Sequence, residues 1–456
     1  MNYAQHYSTL STPQSEAIPG KPMVANNAGG FTFAVDDWTR LDRFLILGSE
    51  GNTYYQTERK LTIENAQAVL RCAQADGKRT VARIVEVSET GRAPKNDPAI
   101  FALAICAGQK IPEALTAIPM VCRIPTHLFA FIEAVEKFRG HGRALHRALQ
   151  NGYLDKPPRE VAYHITKYQS RNGWSHRDVL RLCKPKVVGV MNTIFRWAVG
   201  KQPVEEIMGM EELQPIIAFE HAKKATDKKE VCRLIRAFNL PRECVPTQFL
   251  TEAEVWDALL EKMPMTAMVR NLATMTRVGL LAPMSLAAGR VLKELTDVER
   301  IRKSRLHPIA ILAALLTYQQ GHGERGGNTW NPVSQIVDAL DGAFYLAFGN
   351  IEPTGKRWLL ALDVSGSMNG GTIAGFPGLT PRVGSAAMSL VTAATEPQHH
   401  FMAFSGGFIP LAISPRQRID DVCALVDRMP FEGTDCALPM LYAAEKKIPV
   451  DVFVIY

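Results

Sequence analysis

From Leu61 to Phe348, apolar residues recur at spacings of three and four, as in Ala66, Val69, Leu70 and Ala73. That period turns one face of a helix toward a core. Start signals punctuate the pattern. Asp97-Pro98 and Asn331-Pro332 each put a capping residue before a proline suited to a first helical turn. Ser175-His176-Arg177-Asp178 reads as a capping box ahead of Val179, Leu180 and Leu182. Thr251-Glu252-Ala253-Glu254 reads the same way ahead of Val255, Leu259 and Leu260. Helices of about ten to eighteen residues joined by short Pro/Gly turns suggest helical pairs stacked as a solenoid. No fixed repeat length is visible, so an irregular helical bundle stays open beside it.

Beyond residues 351–355 the period changes. Residues 356–364 predict a strand and 383–394 a helix. Residues 400–405 and 408–413 predict a hairpin around Gly406-Gly407, 419–428 and 438–446 two helices, and 451–456 another buried strand. The alternation predicts a doubly wound α/β sheet. Its last strand would form a hydrophobic, uncovered edge. The domain is therefore expected to be C-terminally truncated, or to have that edge covered by something else. Residues 1–30, rich in Ser, Thr, Pro, Asn and Gly, are expected to be a disordered arm. A helical module over 31–352 and an incomplete α/β domain over 353–456 follow.

A chain of 456 residues, 46% hydrophobic and 21% charged, is globular and too long for one ordinary core. No apolar run is long enough to span a membrane, and the start lacks the basic and apolar regions of a signal peptide. The eight cysteines are scattered singly without zinc-ligand spacing, which suits reduced thiols in the cytoplasm. The net charge of +7 is uneven. Residues 356–456 carry eight Lys/Arg and nine Asp/Glu, whereas 31–355 carry 43 and 35. A polyanionic partner is expected on the helical module.

Two constellations carry candidate chemistry. Residues 359–362 form an apolar run ending in Asp363-x-Ser365-x-Ser367. Oxygen side chains at the carboxyl end of a parallel strand can converge where open α/β sheets bind ligands. A carboxylate with hydroxyls suits Mg²⁺ or a similar hard cation, and Thr434 in Gly433-Thr434-Asp435 offers a further hydroxyl. The pattern resembles the metal-ion-dependent adhesion site of von Willebrand factor A domains. Alternatively, Ser365 and Ser367 merely cap the next helix.

The second constellation is residues 167–186. It holds Lys167, Arg171, Arg177, Arg181, Lys184 and Lys186 against the single acid Asp178, with Tyr168, Trp174 and His176 interleaved. Cations at such spacing suit phosphates, and flat side chains suit unstacked bases. Lys167 and Arg171, four apart, are expected on one helical face. A second basic cluster includes Arg300, Arg302, Lys303, Arg305 and His307. A solvated helical face with a core tryptophan is the plainer alternative. Hydrolytic chemistry finds little support. Two-metal sites need several convergent carboxylates. No Ser/His/Asp order or His-Glu-x-x-His motif is present, and the Gly-rich residues 321–327 lack the Lys-Ser/Thr ending of a phosphate loop.

Several stretches, each occurring once and in order along the chain, carry a likeness to a known family. They are Arg43-Phe44 with Gly48-Ser49-Glu50-Gly51-Asn52-Thr53-Tyr54-Tyr55, Phe101-Ala102-Leu103-Ala104-Ile105-Cys106, and Val121-Cys122-Arg123-Ile124-Pro125-Thr126-His127-Leu128-Phe129. Thr166-Lys167-Tyr168 with Arg171-Asn172-Gly173-Trp174-Ser175-His176, Met263-Pro264-Met265-Thr266-Ala267 with Arg270-Asn271-Leu272, and Glu352-Pro353-Thr354-Gly355-Lys356-Arg357 complete the set. On these the chain resembles the Ro ribonucleoprotein autoantigen family, a TROVE module followed by a von Willebrand factor A domain. The resemblance implies a ring of HEAT-like helical repeats closed by the A domain. It implies a basic hole that takes single-stranded 3′ ends of misfolded RNA, and an outer surface for small non-coding Y-type RNA. Bacterial relatives work beside exoribonucleases such as polynucleotide phosphorylase. Lys167 and Arg171 match positions that contact the Y-type RNA.

Two departures qualify the likeness. Arg181-Leu182-Cys183-Lys184-Pro185 lacks a histidine common in relatives, which puts high-affinity Y-type binding in question. The Thr-Asp pair that follows the last strand in relatives is absent, so weak metal binding with waters filling the gap is expected.

The reading is a non-enzymatic cytoplasmic RNA-binding protein acting in RNA quality control or turnover. Its RNA contacts are expected at Lys167, Arg171, Trp174, His176, Arg177, Lys184, Lys186, Arg305 and His307. A divalent cation, Mg²⁺ foremost, is expected on Asp363, Ser365, Ser367 and Thr434. The alternative is a metal-dependent protein-docking scaffold of the adhesion type.

Overall fold

The computed structural model of the chain describes residues 16–17, 19–26, 29–49, 58–323, 327–373, 376, 378–405, 408–411, 413–429 and 436–456. Thr12–Leu250 and Thr251–Tyr456 each form a compact unit.

The first unit opens with a short antiparallel hairpin, β1 (Met23–Ala25) with β2 (Phe31–Phe33). Part of the stretch expected as a disordered arm is therefore ordered backbone, because β1 finds ladder partners in β2. Helices follow: α1 (Asp37–Leu47), α2 (Glu58–Ala75), α3 (Gly77–Thr90), α4 (Asp97–Gly108), α5 (Pro112–Thr116), α6 (Ile118–Val121), α7 (Pro125–Glu136), α8 (Arg143–Leu154) and α9 (Pro158–Lys167). Next come a two-residue hairpin, β3 (Ser170–Arg171) with β4 (Trp174–Ser175), then α10 (His176–Cys183), α11 (Gly189–Ala198), α12 (Gln214–Lys224) and α13 (Lys228–Phe238). Neighbouring helices pack in pairs: α1 on α2, α3 on α4, α9 on α12 and α12 on α13.

Sequence explains the layering. α4 reads Ala99-Ile100-Phe101-Ala102-Leu103-Ala104-Ile105-Cys106-Ala107, apolar on every side, and eight of its residues are buried. Such a helix belongs in the middle of a stack rather than at its surface. It lies against α7, whose Phe129, Phe131 and Ile132 are fully buried. Polar ends are closed locally. Asp36 accepts a hydrogen bond from the Thr39 amide at 2.7 Å, and Asp76 accepts one from the Arg79 amide at 2.9 Å.

The second unit begins with α14 (Ala253–Leu260), α15 (Met265–Arg277), α16 (Leu286–Thr296), α17 (Val298–Ser304), α18 (Pro308–Gln319) and α19 (Ser334–Leu346). It continues with β5 (Trp358–Asp363), α20 (Pro381–Thr395), β6 (His399–Phe404), β7 (Phe408–Pro410), α21 (Ile419–Asp427), α22 (Leu438–Glu445) and β8 (Val452–Ile455). The sheet order is β7-β6-β5-β8. β5 pairs in parallel with both β6 and β8, and β7 pairs antiparallel to β6. The helical module and the α/β domain meet inside this unit. Arg418 Nη2 lies 2.5 Å from Asp341 Oδ2 on α19, its guanidinium covers Tyr345, and the Ile419 amide donates to the Tyr345 hydroxyl at 2.9 Å. The Glu396 carboxylate, buried at the end of α20, accepts the Thr354 and Gly355 amides at 2.6 and 3.0 Å. These bonds anchor the connecting segment to the sheet domain.

Local signals fared unevenly. The Ser175/Asp178 box forms with both reciprocal bonds. Thr251 instead ends a 3-10 turn, and Glu252 is the N-cap of α14 without a side-chain cap bond. β8, expected to be buried, leaves Phe453 and Ile455 36–39% exposed, because it pairs only with β5 among the described residues. None of the eight cysteines, all among the described residues, is in a disulfide. No helix among the described residues is long and apolar enough to cross a membrane.

Candidate nucleic-acid interface

The basic stretch is built by two local devices. α9 ends at Lys167, and the chain then reverses through Asn172 (φ 51°) and Gly173 (φ 78°). Two consecutive left-handed residues make a type I′ turn, for which Asn-Gly is the preferred pair. Ser170 faces Ser175 and Arg171 faces Trp174 across the ladder. Lys167 and Arg171 therefore do not share a helical face, which corrects the expectation: turn chemistry overrides the i, i+4 spacing. Lys167 donates to the Tyr163 hydroxyl at 3.2 Å, with its ammonium 5.4 and 5.1 Å from the Tyr163 and Tyr168 ring centres. Burial works against its charge, but the Tyr163 hydroxyl bond and the two tyrosines raise its pKa overall. Lys167 is a half-buried, tyrosine-held cation, and Arg171 is exposed at the hairpin.

The second device is the capping box. Ser175 takes the Asp178 amide, and the Asp178 carboxylate takes the Ser175 amide at 3.0 Å. The only acid of the stretch is thereby consumed in holding α10. Val179, Leu180 and Cys183 then face the core, while Arg177, Arg181 and Lys184 stand exposed at i, i+4 and i+7 along the outer face. Lys184 closes the helix in a left-handed conformation (φ 45°), and Lys186 follows, exposed. Arg171, Arg177, Arg181, Lys184 and Lys186 have no carboxylate partner within 4.0 Å among the described residues. Elsewhere arginines are commonly matched, as Arg83 is by Asp42 and Arg233 by Glu230. Arg181 stands in the same exposed row, four residues after Arg177.

The aromatic members behave differently. His176, expected as an RNA contact, is 3% exposed. As the first residue of α10 its ring turns inward. Nδ1 lies 2.9 Å from the Tyr153 hydroxyl, and the ring meets Phe129 edge-on at 4.9 Å. Burial drives its pKa down to about 3, so it is neutral near pH 7. Trp174 is half-buried, with its ring 6.1 Å from His141. In the second cluster Arg300 and Arg302 pair with Glu294 and Glu299, and Arg305 is exposed at the left-handed end of α17. His307 is the N-cap of α18, its Nδ1 accepting the Ile309 amide at 3.2 Å.

The Asp-x-Ser-x-Ser turn lies at the carboxyl end of β5, where the strand order reverses between β6 and β8. Asp363 Oδ1 accepts the Ser365 amide at 2.7 Å, and the Ser365 and Ser367 hydroxyl oxygens stand 2.9 Å apart. Adjacent oxygens in an octahedral shell at ~2.0–2.1 Å from Mg²⁺ are spaced by roughly that same distance. Ser365 heads a 3-10 turn without a side-chain cap bond, so its hydroxyl is not spent on capping. Beneath it, buried Arg382 reaches the Ser365 carbonyl at 3.5 Å and pairs with Asp427. Thr434 and Asp435 lie outside the described residues.

A family model of the TROVE domain matches residues 24–316, and one of the Ro60 vWA domain matches residues 357–456. RNA-binding protein RO60 of Deinococcus radiodurans is 39% identical over 465 residues, covering 100% of this chain and 86% of that protein. RNA-binding protein RO60 of Caenorhabditis elegans is 35% identical over 513 residues, covering 95% of this chain and 79% of that protein. The crystal structure of the Deinococcus radiodurans RO (RSR) protein matches with a TM-score of 0.82 at 38% identity, over 92% of this chain and 86% of that one.

Proposed function

The chain belongs to the Ro60 family of TROVE proteins, and on that premise we propose that it is a non-enzymatic RNA-binding protein of RNA quality control. The observation that carries this reading is the unmatched row Arg177, Arg181 and Lys184, extended by Arg171 and Lys186. Exposed cations without internal carboxylates gain most from meeting phosphates, because no ion pair has to be broken first. A helix face presenting charge rather than base-reading side chains recognises shape and backbone. Structured RNA of the small non-coding Y type fits that surface, and misfolded RNA with a single-stranded 3′ end is the proposed substrate for turnover. An exoribonuclease such as polynucleotide phosphorylase is the partner this role calls for, acting in the cytoplasm.

The Asp363, Ser365 and Ser367 oxygens favour a second, subsidiary role. They would hold a divalent cation, Mg²⁺ foremost, whose open positions take an acidic side chain of a docking protein. The 2.9 Å hydroxyl spacing supports this reading.

The test is a gel shift comparing a stem-loop RNA with a single-stranded 3′ tail against the same stem-loop blunt-ended, at low and moderate salt. Tail-dependent binding that weakens steeply with salt is expected. Failure of the folded protein to bind either RNA would overturn the RNA reading and leave the docking role.

A further inference from the structure

Beside the basic row lies an open cradle of about 660 Å³, enclosed by three walls. The first is the end of α9 and start of α10, with Gln169 and Arg177. The second is the end of α11 and its turn, with Trp197 and Lys201. The third is α12, with Phe219 and Lys223. Its apolar side is aromatic. The Trp197 and Phe219 ring centres are 6.2 Å apart at 84°, Phe219 is buried, and Trp197 is half-buried.

The charges sort into two kinds. Lys223 is matched by Glu220 at 3.2 Å and Lys224 by Glu205 at 2.9 Å. Arg177 and Lys201 line the same space without an acidic partner among the described residues. Lys201 is also placed firmly. Its amide donates to the Arg196 carbonyl at 2.7 Å, its carbonyl accepts from Arg196 Nη2 at 3.3 Å, and Gly200 (φ 77°) makes the turn that precedes it. The backbone is pinned while the ammonium is exposed.

We propose that this cradle binds one unpaired nucleotide of the RNA, its base against Trp197 and its phosphate between Arg177 and Lys201. Two cations without an acidic partner favour an anion between them, and an aromatic wall favours a flat group beside it. A nucleotide supplies both, and the cradle falls in the size range of small-ligand sites. Arg177 belongs to the outer row and to the cradle, so RNA lying along α10 delivers its next unpaired residue there. A duplex cannot, because its bases are stacked and paired. The inference rests on the RNA reading given above.

The experiment uses the full chain and a stem-loop RNA carrying an oligouridine 3′ tail with one 4-thiouridine, beside its blunt-ended counterpart. Photocrosslinks are mapped by mass spectrometry, and affinities are measured for wild type, Trp197→Ala and Lys201→Ala. A crosslink within residues 196–205 is expected. Each substitution should weaken tailed RNA by roughly ten-fold, the scale of one lost stack or phosphate contact, and leave the blunt stem-loop within about two-fold. Lys201 is exposed, so its variant keeps the test sound if Trp197→Ala misfolds. Tailed RNA that binds wild type while crosslinking elsewhere, with Lys201→Ala at wild-type affinity, overturns the cradle and leaves the RNA reading standing. No binding of either RNA by wild type overturns both.

Discussion

Replacing Arg177, Arg181 and Lys184 together with alanine removes three exposed cations from one face of α10 and leaves its buried face, Val179, Leu180 and Cys183, intact. Alanine is the strongest helix former at Arg177 and Arg181, it replaces one non-glycine residue by another at the left-handed cap Lys184, and the Ser175/Asp178 box is untouched, so the helix should persist. Each phosphate contact contributes about 0.7–0.9 to the slope of log affinity against log salt. Three lost contacts should therefore lower the slope by roughly two to three. Between 50 and 200 mM salt, wild type should lose roughly 20- to 40-fold more affinity than the variant. The assay is fluorescence anisotropy of a labelled stem-loop RNA at four salt concentrations, with circular dichroism to show that both proteins are folded. An unchanged slope in a folded variant would refute the reasoning, because it would mean these cations meet no phosphate.

Three further outcomes follow from the described contacts. His176 has a folded pKa of about 3 against an ordinary 6.5, so its contribution is fully present above pH 6.5 and falls as pH drops toward 3. At pH 5 the loss is about 2 kcal/mol, and urea unfolding of His176→Gln between pH 5 and 6.5 should show a shallower dependence than wild type; parallel curves would contradict the assignment. Glu396 is pushed up by burial but held below 4.5 overall by the Thr354 and Gly355 amides, so its stabilisation is present above pH 4.5 and is lost as pH falls through the lowered value. Glu396→Gln should cost about 1.5–3 kcal/mol at pH 7 by unfolding, and a change near zero would remove the anchoring role. Asp363→Ala and Ser367→Ala should each abolish Mg²⁺ binding in titration calorimetry while leaving RNA affinity within about two-fold; a large loss of RNA affinity from a folded variant would mean that these oxygens also serve RNA binding.

What the sequence determined by itself was local and short-ranged. The Ser175/Asp178 box formed as read, because both partners lie within one turn. The Asn172-Gly173 turn is an equally local signal, and it overrides the i, i+4 spacing of Lys167 and Arg171. The strand ending in Asp363 was marked by its continuous apolar run, and the helical period identified the module that carries the net positive charge. Tertiary structure decided which way side chains point. His176 stands among cations in sequence, but Phe129 and Tyr153, 47 and 23 residues away, draw its ring into the core. Trp197 and Lys201 join Arg177 in one cradle only because α9, α10, α11 and α12 pack around it. Arg382 lies under Ser365 because α20 returns across the sheet. In each case the deciding energy is burial against distant partners. Local spacing does not encode it, and it outweighs the few tenths of a kcal/mol that local propensity supplies.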